Sequence, residues 1–226
     1  AGVCDIKGLF DNIDHGLLMK AVRRHTSCRW VLLYIERWLT APMQKEDGTI
    51  IRRDKGTPQG GPLSPILSNI LLDDLDKELE ARGHRFCRYA DDCNIYVRSR
   101  RAGERVMAGV RRYVEGRLKL RVNEAKSAVD RPWKRKFLGF SFLPGKEIRI
   151  RLAPESVKRL KGKLREITRR NRSQEMGERI QRLNRYLGGW ISYYALAETP
   201  SVLEEVDQWL RHRLRACVWK QWKRVR

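Results

Sequence analysis

Ten residues constrain this chain more than any others: Arg88-Tyr89-Ala90-Asp91-Asp92-Cys93-Asn94-Ile95-Tyr96-Val97. Two adjacent aspartates stand between two short, apolar, β-prone segments. Phe86 to Ala90 reads as one strand and Cys93 to Val97 as the next, with Cys93, Ile95 and Val97 alternating onto one face. Asp is common at turns, so an ordinary hairpin also accounts for the pair. Two neighbouring carboxylates repel, however, and ask for a cation. Hard oxygen donors suit Mg²⁺, which takes one or two protein carboxylates together with waters and substrate phosphates. The chain supplies a separate carboxylate, Asp5, in an opening strand Val3-Cys4-Asp5-Ile6.

At 226 residues with 41% hydrophobic content, one large domain or two modest ones can be packed. Lys and Arg number 49 against 27 Asp and Glu, a net charge of +22. Such a field favours a polyanionic partner, and nucleic acid first. Residues 151–226 hold 19 basic and 8 acidic side chains, so half of the excess lies in the last third. Interleaved Trp and Tyr allow base stacking there, although most aromatics belong to cores. Cys4, Cys28, Cys87, Cys93 and Cys217 are odd in number and show no C-x-x-C pairing. Reduced thiols in a cytoplasmic protein are expected, with neither a disulfide framework nor a zinc site. No apolar run approaches a membrane span and no signal peptide is seen, so no membrane partner is expected.

In order, the chain reads as strand, helix and hairpin units. Asp14-His15 opens a helix with Leu17, Leu18 and Val22 inward, and Asp14 is expected to cap it. A second helix, Arg29 to Leu39, is expected to turn Trp30, Leu33, Tyr34 and Trp38 to the core. Asp47-Gly48 marks a hairpin. The loop Gly56-Thr57-Pro58-Gln59-Gly60-Gly61-Pro62-Leu63-Ser64-Pro65 lets backbone N–H groups approach a phosphate or base, with Ser64 as the expected cap of the next helix. That helix carries Ile66, Leu67, Ile70, Leu71, Leu75 and Leu79 and stops at Gly83. Arg101 to Leu118 is amphipathic, Leu120 to Val122 a short strand, and Phe137–Phe142 with Glu147–Leu152 a hairpin about Pro144-Gly145-Lys146. Three helices follow from Pro154. The expected architecture is an α+β sheet domain over 1–152 and a helical module over 153–226.

Asp5-Ile6-Lys7-Gly8-Leu9-Phe10-Asp11-Asn12-Ile13-Asp14-His15, Thr57-Pro58-Gln59-Gly60-Gly61, Tyr89-Ala90-Asp91-Asp92 and Phe137-Leu138-Gly139-Phe140 stand in one order. In that order they resemble the palm of a group II intron-encoded reverse transcriptase. Residues 153–226, with Gly189-Trp190-Ile191-Ser192-Tyr193-Tyr194, look like that family's thumb and maturase-specific region. The resemblance implies an antiparallel palm sheet with packed helices, followed by a small three-helix module. It implies RNA-directed DNA polymerisation on an RNA template from a DNA primer with deoxynucleoside triphosphates, and binding of intron RNA. Asp5 and Asp91 would ligate two Mg²⁺ ions, with Asp92 assisting, and Lys126 would act near the departing pyrophosphate. Ile6, Phe10, Gln59 and Gly60 would contact the nucleotide, Phe10 excluding a 2′-hydroxyl. Leu138, Gly139 and Phe140 would form the primer grip.

The family's fingers region precedes the first aspartate, whereas this chain begins four residues before Asp5. A fragment or one piece of a split protein is therefore expected, with no zinc-binding or H-N-H endonuclease region after residue 226. A second reading is a maturase that binds RNA without chemistry of its own. A third, an RNA-dependent RNA polymerase, is disfavoured by Phe10 and Tyr89-Ala90-Asp91-Asp92. RNA is expected on Arg159, Lys163, Arg170, Arg172, Arg179, Arg182 and Arg185, read as the exposed sides of the first two C-terminal helices and their link.

Overall fold

Strand β1 (Gly2–Asp5) has a partner on each flank although it stands at the head of the sequence. In the computed structural model, which describes residues 2–58, 60–145, 147–171 and 174–222, it pairs antiparallel with β5 (Asp92–Tyr96) and with β6 (Ala128–Val129). Adding β4 (Arg85–Tyr89) beside β5 completes the order β4-β5-β1-β6. Side chains alternate across such a sheet. Cys4, Phe86, Cys93 and Ile95 face a hydrophobic core, while Asp5, Tyr89 and Asp92 share the opposite face.

Helices cover the core face. Helix α2 (His15–His25) starts where the Asp14 carboxylate accepts the Leu17 N–H at 2.8 Å, as the sequence suggests. The longer α4 (Ser64–Ala81) buries Leu67, Leu71, Leu75 and Leu79, each worth about 2 kcal/mol. Its arrest before Gly83 fits the left-handed φ of +70° there. Helix α5 (Arg100–Gly116), capped by Ser99, turns Val110 and Val114 inward. A one-turn α1 (Leu9–Asn12) precedes α2, and between α2 and α4 come α3 (Arg29–Thr40) and the hairpin β2 (Met43–Gln44) and β3 (Ile50–Ile51) around Asp47-Gly48.

Three local expectations fail. Trp30 and Tyr34 are 69% and 63% exposed, because α3 is apolar on most sides and packs through Leu32, Ile35 and Leu39 together with the expected Trp38. Ser64 does not cap α4: it is the helix's first residue and spends its hydroxyl on the Pro58 carbonyl at 2.5 Å. Leu120–Val122 forms only a bridge, Ile6 to Val122.

The chain divides into two compact units, residues 1–131 and 132–226. The segment from 132 to 152 thus packs with the helices that follow it, and the reason lies in one turn. Phe137 and Phe140 exchange both backbone hydrogen bonds at 2.9 Å, and between them Leu138 and Gly139 hold φ of +52° and +82°. Positive φ at both central residues defines a type I′ turn. Its carbonyls are taken by the helical unit. Tyr193 Oη donates to Leu138, and Ser156 Oγ donates to Gly139 while accepting from Tyr194 Oη. Phe140 also stacks on Tyr193 at 6.0 Å between centroids. The strands that follow, β7 (Phe140–Phe142) and β8 (Ile150–Leu152), consequently belong with the helices. Lys146, in their connection, lies outside the described residues. Helices α6 (Pro154–Ile167), α7 (Met176–Tyr193) and α8 (Pro200–Gln221) close around Leu160, Leu164, Ile167, Leu183, Val206 and Leu210, the expected three-helix module.

Candidate active site

Asp5 and Asp92 stand directly opposite each other across β1 and β5. The Asp5 N–H donates to Ser127 Oγ at 3.0 Å and its carbonyl accepts from the Asn123 N–H at 2.8 Å, both on the flank away from β5. The pair is therefore a non-hydrogen-bonded position of the ladder, with Cα atoms about 4.5 Å apart and side chains on one face. At about 5 Å and an effective dielectric of about 20, two carboxylates repel by about 3 kcal/mol. Lys126 Nζ lies 3.6 Å from Asp5 Oδ2, but the lysine side chain is 69% exposed. Such a pair offsets about 1 kcal/mol at most. The balance still favours a cation.

Asp91 stands beside them in the two-residue turn joining β4 to β5. The turn's first residue, Ala90, has φ +54°, which costs a non-glycine residue about 1–2 kcal/mol. Arg88 holds it there. Its Nη1 donates to the Ala90 carbonyl and to Asn69 Oδ1, each at 2.9 Å. Its Nε and Nη2 grip the Asp76 carboxylate at 2.7 and 2.5 Å. With 10% of its side chain exposed, this guanidinium ties the aspartate turn to α4. Hydrogen bonding to Asp76 holds the Arg88 pKa above its ordinary value.

The loop ahead of α4 is fastened near Asp5 as well. Thr57, wholly buried, donates its N–H to the Phe10 carbonyl at 2.6 Å, and Gly56 N–H bonds Ile13 at 2.7 Å. A Cβ on Gly56 would sit 2.8 Å from the Asp11 carbonyl oxygen at a φ of +81°, so only glycine allows this approach. His15 Nε2 lies 2.7 Å from the Gly56 carbonyl, to which it donates as the Nε2–H tautomer or the imidazolium. Asp5, Phe10, Asp91, Asp92, Lys126 and exposed Gly60 thus all belong to the first unit. Gln59 lies outside the described residues. Ile6 is the correction: its side chain is 3% exposed in the core, which leaves only its backbone for a nucleotide.

Leu138, Gly139 and Phe140 belong to the second unit, in the turn described above. Among the basic candidates, Arg159, Arg170 and Arg185 are exposed. Lys163 and Arg182 pair with Glu166 at 2.7 and 3.6 Å. Arg179 is 1% exposed and cannot present itself to RNA, because it shares the inward stripe of α7 with Leu183. Arg172 lies outside the described residues. Sequence reasoning missed Arg88, Asp76, Asn69 and Ser127. Arg88 adjoins the motif, but its partner was one of five acids on α4, Asp73, Asp74, Asp76, Glu78 and Glu80, that the sequence does not rank.

The donor set fits a hard divalent cation. Three carboxylates come from two adjoining strands and one turn, and the Cys4 and Cys93 thiols lie on the other face. Among the described residues, no group of three or more His, Cys, Asp and Glu side chains is gathered closely enough to hold a metal by itself. Mg²⁺ does not ask for one, since it keeps waters and shares itself with phosphates.

Residues 2–142 match the family described as reverse transcriptase (RNA-dependent DNA polymerase), and residues 157–226 match the group II intron, maturase-specific domain. Protein YkfC of Escherichia coli is 34% identical over 161 residues, covering 55% of this chain and 42% of that protein. Group II intron-encoded protein LtrA of Lactococcus lactis is 42% identical over 73 residues, 32% of this chain and 12% of that protein. The chain thus spans less than half the length of these relatives. Telomerase from Candida albicans, solved with a fragment of telomeric RNA, superposes with a TM-score of 0.52 at 17% identity over 73% of this chain and 35% of its own. At that identity the likeness speaks for fold alone.

Proposed function

We propose, because this chain belongs to the reverse transcriptase family and carries a group II intron maturase-specific domain, that it is the palm and thumb portion of an RNA-directed DNA polymerase. The observation carrying this reading is the opposition of Asp5 and Asp92 across two strands with Asp91 in the adjoining turn. Asp5, Asp91 and Asp92 would hold divalent ions, Mg²⁺ by donor chemistry. Bound there, two such ions would activate a primer 3′-hydroxyl and stabilise leaving pyrophosphate. Lys126, 3.6 Å from Asp5, would hand a proton to that leaving group. Phe10, in α1 after Asp5, would set the preference for deoxynucleotides, and the Gly56–Ser64 loop would seat the base pair being formed. Leu138 at the tip of the type I′ turn would meet the DNA primer. The reading keeps the chain in the cytoplasm, where its five free thiols stay reduced.

Primer extension on an RNA template tests it. Asp91→Asn should lower the rate on the order of a thousandfold, about 4 kcal/mol of barrier, without moving the unfolding midpoint. Extension by Asp91→Asn at the wild-type rate would refute the assignment.

The basic last third, net +11 over residues 151–226, favours a second activity, binding of intron RNA by the helical unit. Exposed Arg159, Arg170 and Arg185 would carry it, with Lys163 and Arg182 once released from Glu166. Asp91→Asn should leave RNA affinity intact while removing synthesis. Joint loss of both would show that one site serves both.

A further inference from the structure

Where α6 ends and the link to α7 begins, a cavity of about 540 Å³ opens, lined by Arg169, Arg170, Asn171 and Arg213. Among the described residues, no carboxylate lines it. Arg169 and Arg170 are exposed and, among the described residues, neither has an ion-pair partner. Arg213 is different in kind. Its Nε donates to Thr168 Oγ1 at 2.7 Å and its Nη2 to the Thr168 carbonyl at 3.2 Å, while its guanidinium lies 5.3 Å from the Trp209 ring centroid. It therefore stands fixed at the C-terminal end of α6, where the helix carbonyls favour a cation. Asn171 is held too. Lys220 Nζ donates to its Oδ1 at 2.6 Å, which leaves the amide NH₂ as a donor.

Among the described residues, each side chain on this wall thus still offers a donor or a cation, and two of the four are immobilised by neighbours. The complement is an anion with several acceptor oxygens, taken by planar guanidinium forks. A cavity this large admits a nucleotide unit rather than an ion alone. We propose that it is a phosphate site for the RNA backbone, seated at the α6–α7 link and walled by α8. This inference rests on the RNA-binding reading of the helical unit. It shifts the weight of that reading from the helix faces to Arg169, Arg170 and Arg213, of which only Arg170 was a candidate from sequence.

Arg213 also caps α6, so it is not the residue to test first. Arg169→Gln/Arg170→Gln removes two exposed charges and no described ion pair. Lys158→Gln/Arg215→Gln removes two exposed charges elsewhere in the same unit. Affinity for a mixed-sequence single-stranded RNA is measured by anisotropy between about 50 and 300 mM KCl, a range over which phosphate contacts dominate the salt dependence. Two lost contacts should flatten the log–log slope by about 1.4 and weaken binding at least about tenfold near 100 mM. The control pair should lose less than half of that. Equal losses in both pairs overturn the site and leave only a diffuse field. Wild-type RNA binding with an unchanged slope in Arg169→Gln/Arg170→Gln overturns the site alone, while absence of wild-type binding overturns the RNA-binding reading with it. Inorganic phosphate titrated without RNA separates the sources. Submillimolar saturation abolished by the pocket substitutions, with the RNA slope unmoved, marks a free-phosphate site and sinks the proposal.

Discussion

Removing the Asp76 carboxylate should unfasten the turn that carries Asp91. Asp76→Ala leaves the Arg88 guanidinium, 10% exposed, without its counter-charge. Breaking a fully buried pair from one side costs about 3–5 kcal/mol. Here Asp76 is 22% exposed, so water reaches the stranded charge and about 2–3 kcal/mol is expected. Arg88→Ala should cost a similar amount for another reason: it unpairs Asp76 and also releases the Ala90 carbonyl and Asn69. The double variant should cost little more than either single one, a coupling of about 2 kcal/mol, within the range seen for residues of one network. Urea unfolding of the four proteins measures the cycle. Primer extension by the same set should fall in both single variants, because Ala90 then has less to hold it at φ +54° and Asp91 wanders. Arg88→Lys, with charge but no fork, should recover stability better than rate. Additive stability losses, with coupling under about 0.5 kcal/mol, would refute a single clamp joining α4 to the turn.

Other expectations are as direct. Asp14→Ala should destabilise α2 by about 1 kcal/mol at neutral pH. The Leu17 N–H, then partial burial and Lys119, set the Asp14 carboxyl, with a net lowering. Its contribution is present above the ordinary carboxylate pKa and fades as pH falls through the lowered one, so wild type and variant should converge in acid. Gly139→Ala should cost about 2–3 kcal/mol in thermal melts, since alanine resists φ +82° and its Cβ would run into Tyr194 Oη. Retention of the wild-type midpoint would remove the type I′ turn from the account. Burial, with nearby negative charge, pushes the Cys4 and Cys93 thiols up to about 11 and about 12. Iodoacetamide near pH 8 should therefore label exposed Cys28 and Cys87 first, and Cys4 and Cys93 only in denaturant.

What the sequence made legible was mostly local. Alternation about Asp91-Asp92 placed the hairpin, and the cap at Asp14, the leucines of α4 and the helices after Pro154 announced themselves by spacing. What stayed hidden depends on partners far along the chain. Helix α3 is apolar on most sides, so periodicity could not choose which stripe stays wet at Trp30 and Tyr34. Arg179 carries a charge that reads as exposed until its place beside Leu183 is known. The packing of residues 132–152 with the helices stayed hidden because Tyr193 and Tyr194 reach back to a turn more than fifty residues earlier, Tyr193 bonding Leu138 across 55 positions. In the candidate site, the carboxylates were legible and the clamp behind them was not.

The central place of β1 has a consequence for timing. Its ladder partners all lie in β5 and β6, and Asp5 bonds Ser127 across 122 positions. No contact within the first helices can therefore fix the strand that bears Asp5. Closing so long a loop costs entropy before any pairing rewards it, which makes such strands late arrivals in folding. On the chain's route to its native state, α2, α4 and the β4–β5 hairpin can form with Asp91 and Asp92 already in place. The third carboxylate joins them only when β1 is threaded between β5 and β6. Half-folded molecules would then carry two acids and no competent site, so chemistry would wait for the last strand to dock.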